Sequence, residues 1–211
     1  MKIHNMKQQT PEWEEIKKLF PFSASNAQAI QAMGKGLESL IKKKLIEKYS
    51  SQDPERFESG HLDRGNTEEP DIRDIYELTT GNKVVEVGFI TNENVYEMSG
   101  VSPDGIVGED GMIEVKSLSD TVYYDKLIEM GKKGLFKIDS SYFWQCQMQM
   151  LYAERKWNDH CLYNPNWKRS LLIQRIEADA VSQQKLITGV AYAVKRYKEE
   201  DIIIRKALNI T

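Results

Sequence analysis

"SPDGIVGEDGMIEVKS", residues 102–117, holds a Pro-Asp-Gly turn and then an apolar run interrupted by Glu114 and Lys116. A run rich in β-branched residues and punctuated by Gly and Pro predicts strands joined as a hairpin. Strand side chains alternate, so Glu114 and Lys116 share one face while Ile113 and Val115 pack on the other. Asp104 ends the preceding strand, and the hairpin brings it next to Glu114. Two carboxylates and one ammonium would then lie together.

Hard oxygen ligands of this kind suit Mg²⁺, which keeps several waters and often shares its shell with a phosphate. Two such ions can hold a phosphodiester, stabilise the leaving oxygen and lower the pKa of an attacking water. The lysine can position or deprotonate that water, or offset charge at phosphorus. The same residues also suit a solvated hairpin in which Glu and Lys are surface partners. Residue types alone leave both readings open.

Around this stretch the chain is helical first and then mixed. "TPEWEEIKKLF" predicts a helix with Thr10 as N-cap and Pro11 in the first turn. "NAQAIQAM" predicts a short helix ended by Gly34, and "GLESLIKKKLIEKY" another, with Leu37, Leu40, Ile41, Leu45 and Ile46 near helical spacing. "DRGNTEEPDIRDIYELT" predicts a further helix with Ile72, Ile75 and Tyr76 inward and Gly81 after its end. Strands follow in "KVVEVGFITN", "VYEMSGVSPDGIVG" and "GMIEVKSL". "SSYFWQCQMQMLYAER" predicts a helix capped by Ser140 or Ser141. "WNDHCLYN" and "RSLLIQRIE" flank the loop "PNWKR" as two more strands, and a long helix runs from about Ala180 to Ala207. This order predicts one α/β domain with a central mixed sheet flanked by helices.

The bulk numbers bound the function. With 211 residues, 40% hydrophobic and 29% charged, the chain has enough apolar material for one sizeable core. Its 29 basic and 32 acidic residues give a net charge of −3, which argues against a simple basic DNA-coating protein. A basic channel offset by acidic residues elsewhere stays compatible. Cys146 and Cys161 cannot form a four-cysteine cluster and read as buried free thiols. His4, His61 and His160 form no spaced metal motif. The start, "MKIHNMKQQTPEWEE", lacks the apolar region of a signal peptide, and no run reaches the ~18 apolar residues of a membrane span. A soluble, cytoplasmic chain is expected.

"SPDG" followed by "IEVK" resembles the PD-(D/E)xK, or restriction-endonuclease-like, nuclease core. The flanking segments are similar to those of the lambda-exonuclease or YqaJ-type viral recombinase nucleases. "RGNTEEPDIRDIYELTTG" resembles that family's Gly-x-x-x-Glu helix, "SSYFWQCQMQMLY" its Tyr-x-x-Gln helix, and "FSASNAQAI" the small-Ser segment that contacts the DNA end. The resemblance runs in order from about residue 13 to 165. It implies that Asp104, Glu114, the Val115 carbonyl and Glu69 are metal ligands, with adjacent Glu68 a one-residue alternative to Glu69. It implies Lys116 as the catalytic lysine, Gln145 orienting the lysine or the scissile phosphate, and Tyr142 lining the site. Ser25 and Lys18 fall where the family binds a terminal 5′-phosphate; read alone, Ser25 is a helix cap. Arg64, one turn before Glu69, would face the DNA.

The resemblance implies a single nuclease domain over residues 1–211. Its N-terminal helices (1–58) would make the DNA-end contacts, residues 59–178 the catalytic core, and residues 179–211 the last helix. The implied activity is Mg²⁺-dependent 5′→3′ exonuclease action on linear double-stranded DNA, with two ions and with Mn²⁺ as a substitute. It would leave 3′ single strands for a single-strand annealing protein in phage-type recombination, from a homotrimeric ring, in a bacterial host. "IKKKL", "GKKG" and "NWKRS" are solvated faces or backbone contacts. Trp144, Trp157 and Trp167 read as core or subunit contacts. Two alternatives stand beside this. One is an endonuclease on the same core, for which the sequence shows no DNA-reading element. The other is a non-catalytic DNA-binding module, in which carboxylates beside phosphate would hinder binding.

Overall fold

The computed structural model describes residues 1–51 and 71–210. A five-stranded sheet is the frame, in the order β3 (Val84–Val85), β6 (Gly105–Val107), β7 (Gly111–Ser117), β8 (Trp157–Tyr163), β9 (Leu171–Glu177). Neighbours are antiparallel except β7 and β8, which are parallel, so the sheet is mixed as expected. Parallel neighbours need a long crossover. Here it consists of α5 (Asp120–Lys133) and α6 (Ser140–Ala153). Outside the sheet, β1 (Lys2–His4) pairs with β4 (Phe89–Thr91), and β2 (Phe22–Ser23) with β5 (Ser99–Gly100). The remaining helices are α1 (Pro11–Leu19), α2 (Ala27–Ala32), α3 (Lys35–Tyr49), α4 (71–80) and α7 (Ala180–Ala207).

Alternation along β7 sorts its side chains between two cores. Met112 joins Ile30, Leu37, Ile41, Met148, Leu186 and Val190 in the cluster built by α2, α3, α6 and α7. Ile113 and Val115 join Ile72 and Tyr76 of α4, with Cys161 and Leu171, on the opposite face. A smaller cluster sits under α5, where Tyr123 and Phe136 cover Leu162 and Leu172. Both cysteines are buried and free.

Several boundaries differ from expectation for local reasons. Thr10 caps α1 through a bond from the Trp13 amide, as predicted. By contrast α2 stops at Met33 in the left-handed conformation, and Gly34 instead is the extended residue that precedes α3. Asp139, rather than Ser140 or Ser141, is the residue before α6. The segment 84–107 breaks into four short strands spread over three sheets. No helix among the described residues is long and apolar enough to cross a membrane.

Candidate active site

The β6–β7 hairpin brings the opening residues together. Gly105 lies opposite Ile113, so Asp104, one residue earlier, comes level with Glu114. The Val115 amide donates to Asp104 Oδ2 at 2.6 Å, which ties the turn to the strand bearing the other two residues. This bond also turns the Val115 backbone toward Asp104.

Glu114 is only 1% exposed, and an isolated carboxylate at that depth would be strongly disfavoured. Three donors compensate it. Gln145 Nε2 donates to Oε1 at 2.6 Å, Lys116 Nζ pairs with the same oxygen at 2.6 Å, and Gln149 Nε2 donates to Oε2 at 2.5 Å. Gln145 and Gln149 are four residues apart on α6 and therefore share a face. Between them, Gln147 points away and ties α6 to the Glu177 carbonyl and the Asp179 amide.

Lys116 is 27% exposed, and its ammonium lies 5.3 Å from the Tyr142 ring centroid. Burial alone would pull its pKa down, but the Glu114 and Asp104 carboxylates outweigh it and hold the group above its ordinary value. Tyr142 packs in turn on the His160 ring at 5.2 Å, and His160 lies across from Glu114 on β8. Burial, followed by Lys116 and Lys126, pushes the His160 pKa down to about 3, so this imidazole is neutral. Burial also raises the thiol of Cys146, as do the nearby Glu114 and Asp104 carboxylates, which makes it a poor nucleophile.

The N-terminal segment braces the Asp104 turn. The Trp13 indole donates to the Gly88 carbonyl and Ser102 Oγ, and Gln8 Nε2 to the carbonyls of Val87 and Pro103. Lys17 covers the Trp13 ring at 3.7 Å, whereas Lys18 points outward, 69% exposed and paired with Glu15. Ser25 sits exposed in the 3₁₀ turn Ala24–Asn26, its Oγ 3.1 Å from that of Ser23, and this turn packs on α6. Arg73 of α4 reaches the Asp104 carbonyl and the Glu86 carboxylate. Arg64, Glu68 and Glu69 lie outside the described residues.

Asp104, Glu114, Lys116, Tyr142 and Gln145 are thus assembled around one end of the hairpin. Ser25 and Lys18 belong to the N-terminal elements beside it. Reading the sequence missed Gln149, Asn158, His160, Arg73 and the Trp13 brace. For Gln149 a signal existed, since "QCQMQ" puts its first and last glutamines on one helical face. Among the described residues no group of three or more His, Cys, Asp or Glu side chains forms a metal cage. Two carboxylates with an adjacent backbone carbonyl nevertheless fit Mg²⁺, which takes few protein oxygens and keeps its waters.

The profile of the YqaJ-like viral recombinase domain matches residues 12–156. The chain belongs to this family. The matched span of the YqaJ-like domain contains every assembled residue from Trp13 to Gln149, while β8, β9 and α7 lie beyond it. Solved structures extend the likeness. An alkaline exonuclease from Laribacter hongkongensis is 27% identical, with a TM-score of 0.81, over 95% of this chain and 99% of that chain. The same exonuclease in complex with dAMP is 26% identical, with a TM-score of 0.81, over 95% and 98%. A phage-related exonuclease from Haemophilus somnus shares the fold at 16% identity, with a TM-score of 0.62, over 94% and 91%. Comparison with curated proteins finds no match.

Proposed function

We propose that this YqaJ-like chain is a DNA exonuclease that hydrolyses phosphodiesters at the end of linear duplex DNA, 5′→3′, with a divalent cation. One observation carries the reading: Asp104, Glu114 and Lys116 are brought to one end of a single hairpin, where Asp104 accepts from the Val115 amide and Glu114 accepts from both Lys116 and Gln145. The likeness to an alkaline exonuclease, and that protein's complex with the mononucleotide dAMP, support an end-acting enzyme that releases nucleotides.

Asp104, Glu114 and the Val115 carbonyl would hold the cation, with Glu69 as a further ligand. Mg²⁺ is the fitting ion, and Mn²⁺ a substitute. When bound there, the cation would supply Lewis acidity toward the scissile phosphate and the attacking water. Lys116, held cationic by its carboxylates, offsets the charge that gathers on the phosphoryl oxygens. Water adds to phosphorus, the P–O3′ bond breaks, and the leaving oxygen takes up a proton as a 3′-hydroxyl. Gln145 keeps the Glu114 and Lys116 head groups in register, and Tyr142 walls the lysine on one side. Ser25 and Lys18 bind the terminal 5′-phosphate, and Arg64 contacts the DNA backbone. The product is a 3′ single strand for an annealing protein, made by a trimeric ring encoded by a phage and working in the host cytoplasm.

Digestion of 5′-phosphorylated linear duplex with Mg²⁺, beside a closed circle, tests this. Mononucleotides should appear from the linear DNA alone and disappear with a chelator or with Asp104→Ala. Lys116→Ala should lower the rate by roughly 10²–10³-fold, the range for losing one transition-state donor, while DNA binding persists. Cutting of the circle would point to an endonuclease, and inertness toward both substrates to a binding module.

A further inference from the structure

We infer that Gln149, locked in one orientation by Asn158, is a positioning residue that sets the Glu114 carboxylate for the cation. The inference rests on the metal-dependent reading above. Gln149 and Asn158 are both fully buried. Asn158 stands opposite Met112 on β8, which keeps it on the same sheet face as Glu114 and His160. Its Nδ2 donates to Gln149 Oε1 at 2.9 Å, and Gln149 Nε2 donates to Glu114 Oε2 at 2.5 Å. A weaker contact of 3.5 Å runs from the same nitrogen to the Ser102 carbonyl, two residues from Asp104.

The two ends of an amide are unlike, so this chain has a direction. Turning Gln149 over would set its oxygen against the carboxylate and its NH₂ against that of Asn158, opposing both contacts. Glu114 Oε1 accepts from both Gln145 and Lys116, whereas Oε2 accepts from Gln149. A carboxylate offers about four lone-pair sites, so Oε2 keeps capacity for a cation while Gln149 holds its plane. Packing alone does not account for the pair. Buried amides are costly unless bonded, and Asn158 Oδ1 is buried with no hydrogen-bond partner among the described residues. Apolar side chains in place of both amides would avoid that cost.

Mn²⁺ titration of the full chain by calorimetry, without DNA, tests the inference on Gln149→Met and Asn158→Leu. Removing a partner that orients a metal ligand typically weakens affinity 10–100-fold. Both variants should bind Mn²⁺ at least about 10-fold more weakly than the parent, with their effects less than additive in the double variant. In hydrolysis, the Mg²⁺ concentration for half-maximal rate should rise by a similar factor while the rate at saturating Mg²⁺ largely recovers. Thermal midpoints without metal report folding, and either variant alone suffices if the other fails to fold. Unchanged Mn²⁺ affinity with only a lowered midpoint would make the pair a packing feature and overturn the inference. A parent chain that binds no Mn²⁺ would instead bring down the metal-dependent reading itself.

Discussion

At the residue scale, Glu114 and His160 face each other across β7 and β8 and are buried in opposite ways. Glu114 keeps its place through three donors, whereas His160 keeps its place by staying neutral between the Phe136 and Tyr142 rings. Because the folded pKa of His160 lies below its unfolded value of 6.5, the unfolded chain binds the proton more tightly. The stability tied to this group is therefore full above about pH 6.5 and is lost as pH falls toward about 3. His160→Phe should flatten the fall in thermal midpoint between pH 7 and pH 5 relative to the parent. An equal fall in both proteins would show that the imidazole is not the group responsible. His160 was not legible as a site neighbour, because only the β7–β8 register brings it to Glu114. The Glu-x-Lys spacing was legible, because alternation along a strand is local.

Elements differ in how much of themselves their sequences reveal. Helix α7 was read almost to the residue, and Asp179 caps it by accepting from the Ser182 amide at 2.8 Å. Helix α5 was not singled out: Tyr123 is its one buried residue, and Leu127 and Met130, which continue its inward stripe, are only partly buried. The short strands before β6 were merged, because their pairing partners lie in three different sheets. Helix packing adds a test at this scale. A Cβ on Gly189 of α7 would come within 2.4 Å of the Ile30 carbonyl oxygen, which is backbone of α2. Gly189 thus permits the close approach of α2 and α7. Overpacking of this kind costs roughly 1–3 kcal/mol, so Gly189→Ala should lower the thermal midpoint by several degrees. A neutral or stabilising outcome would mean that the two helices slide apart freely.

For the whole molecule, Ile30, Leu37 and Ile41 from the N-terminal helices share one core with Met112 and Ile176 of the sheet. Leu186, Val190 and Val194 of α7 complete that same cluster. Residues 1–58, 59–178 and 179–211 should therefore unfold together. Calorimetry is expected to give one transition with matching calorimetric and van't Hoff enthalpies, and a chain ending before 179 should not fold. Two separable transitions would instead make the N-terminal helices a unit of their own.

Local chemistry alone determined the alternation that pairs Glu114 with Lys116, the length of α7, and an α/β order of elements. These need only residues within a few positions of one another. Tertiary structure decided what surrounds the pair. It buried Glu114 under Gln145 and Gln149, set Asn158 behind Gln149, and laid Trp13 against the turn that holds Asp104. Each of those contacts joins different elements, most of them distant in sequence, and only the packing of α1, α6 and β8 against one hairpin brings them within hydrogen-bonding reach.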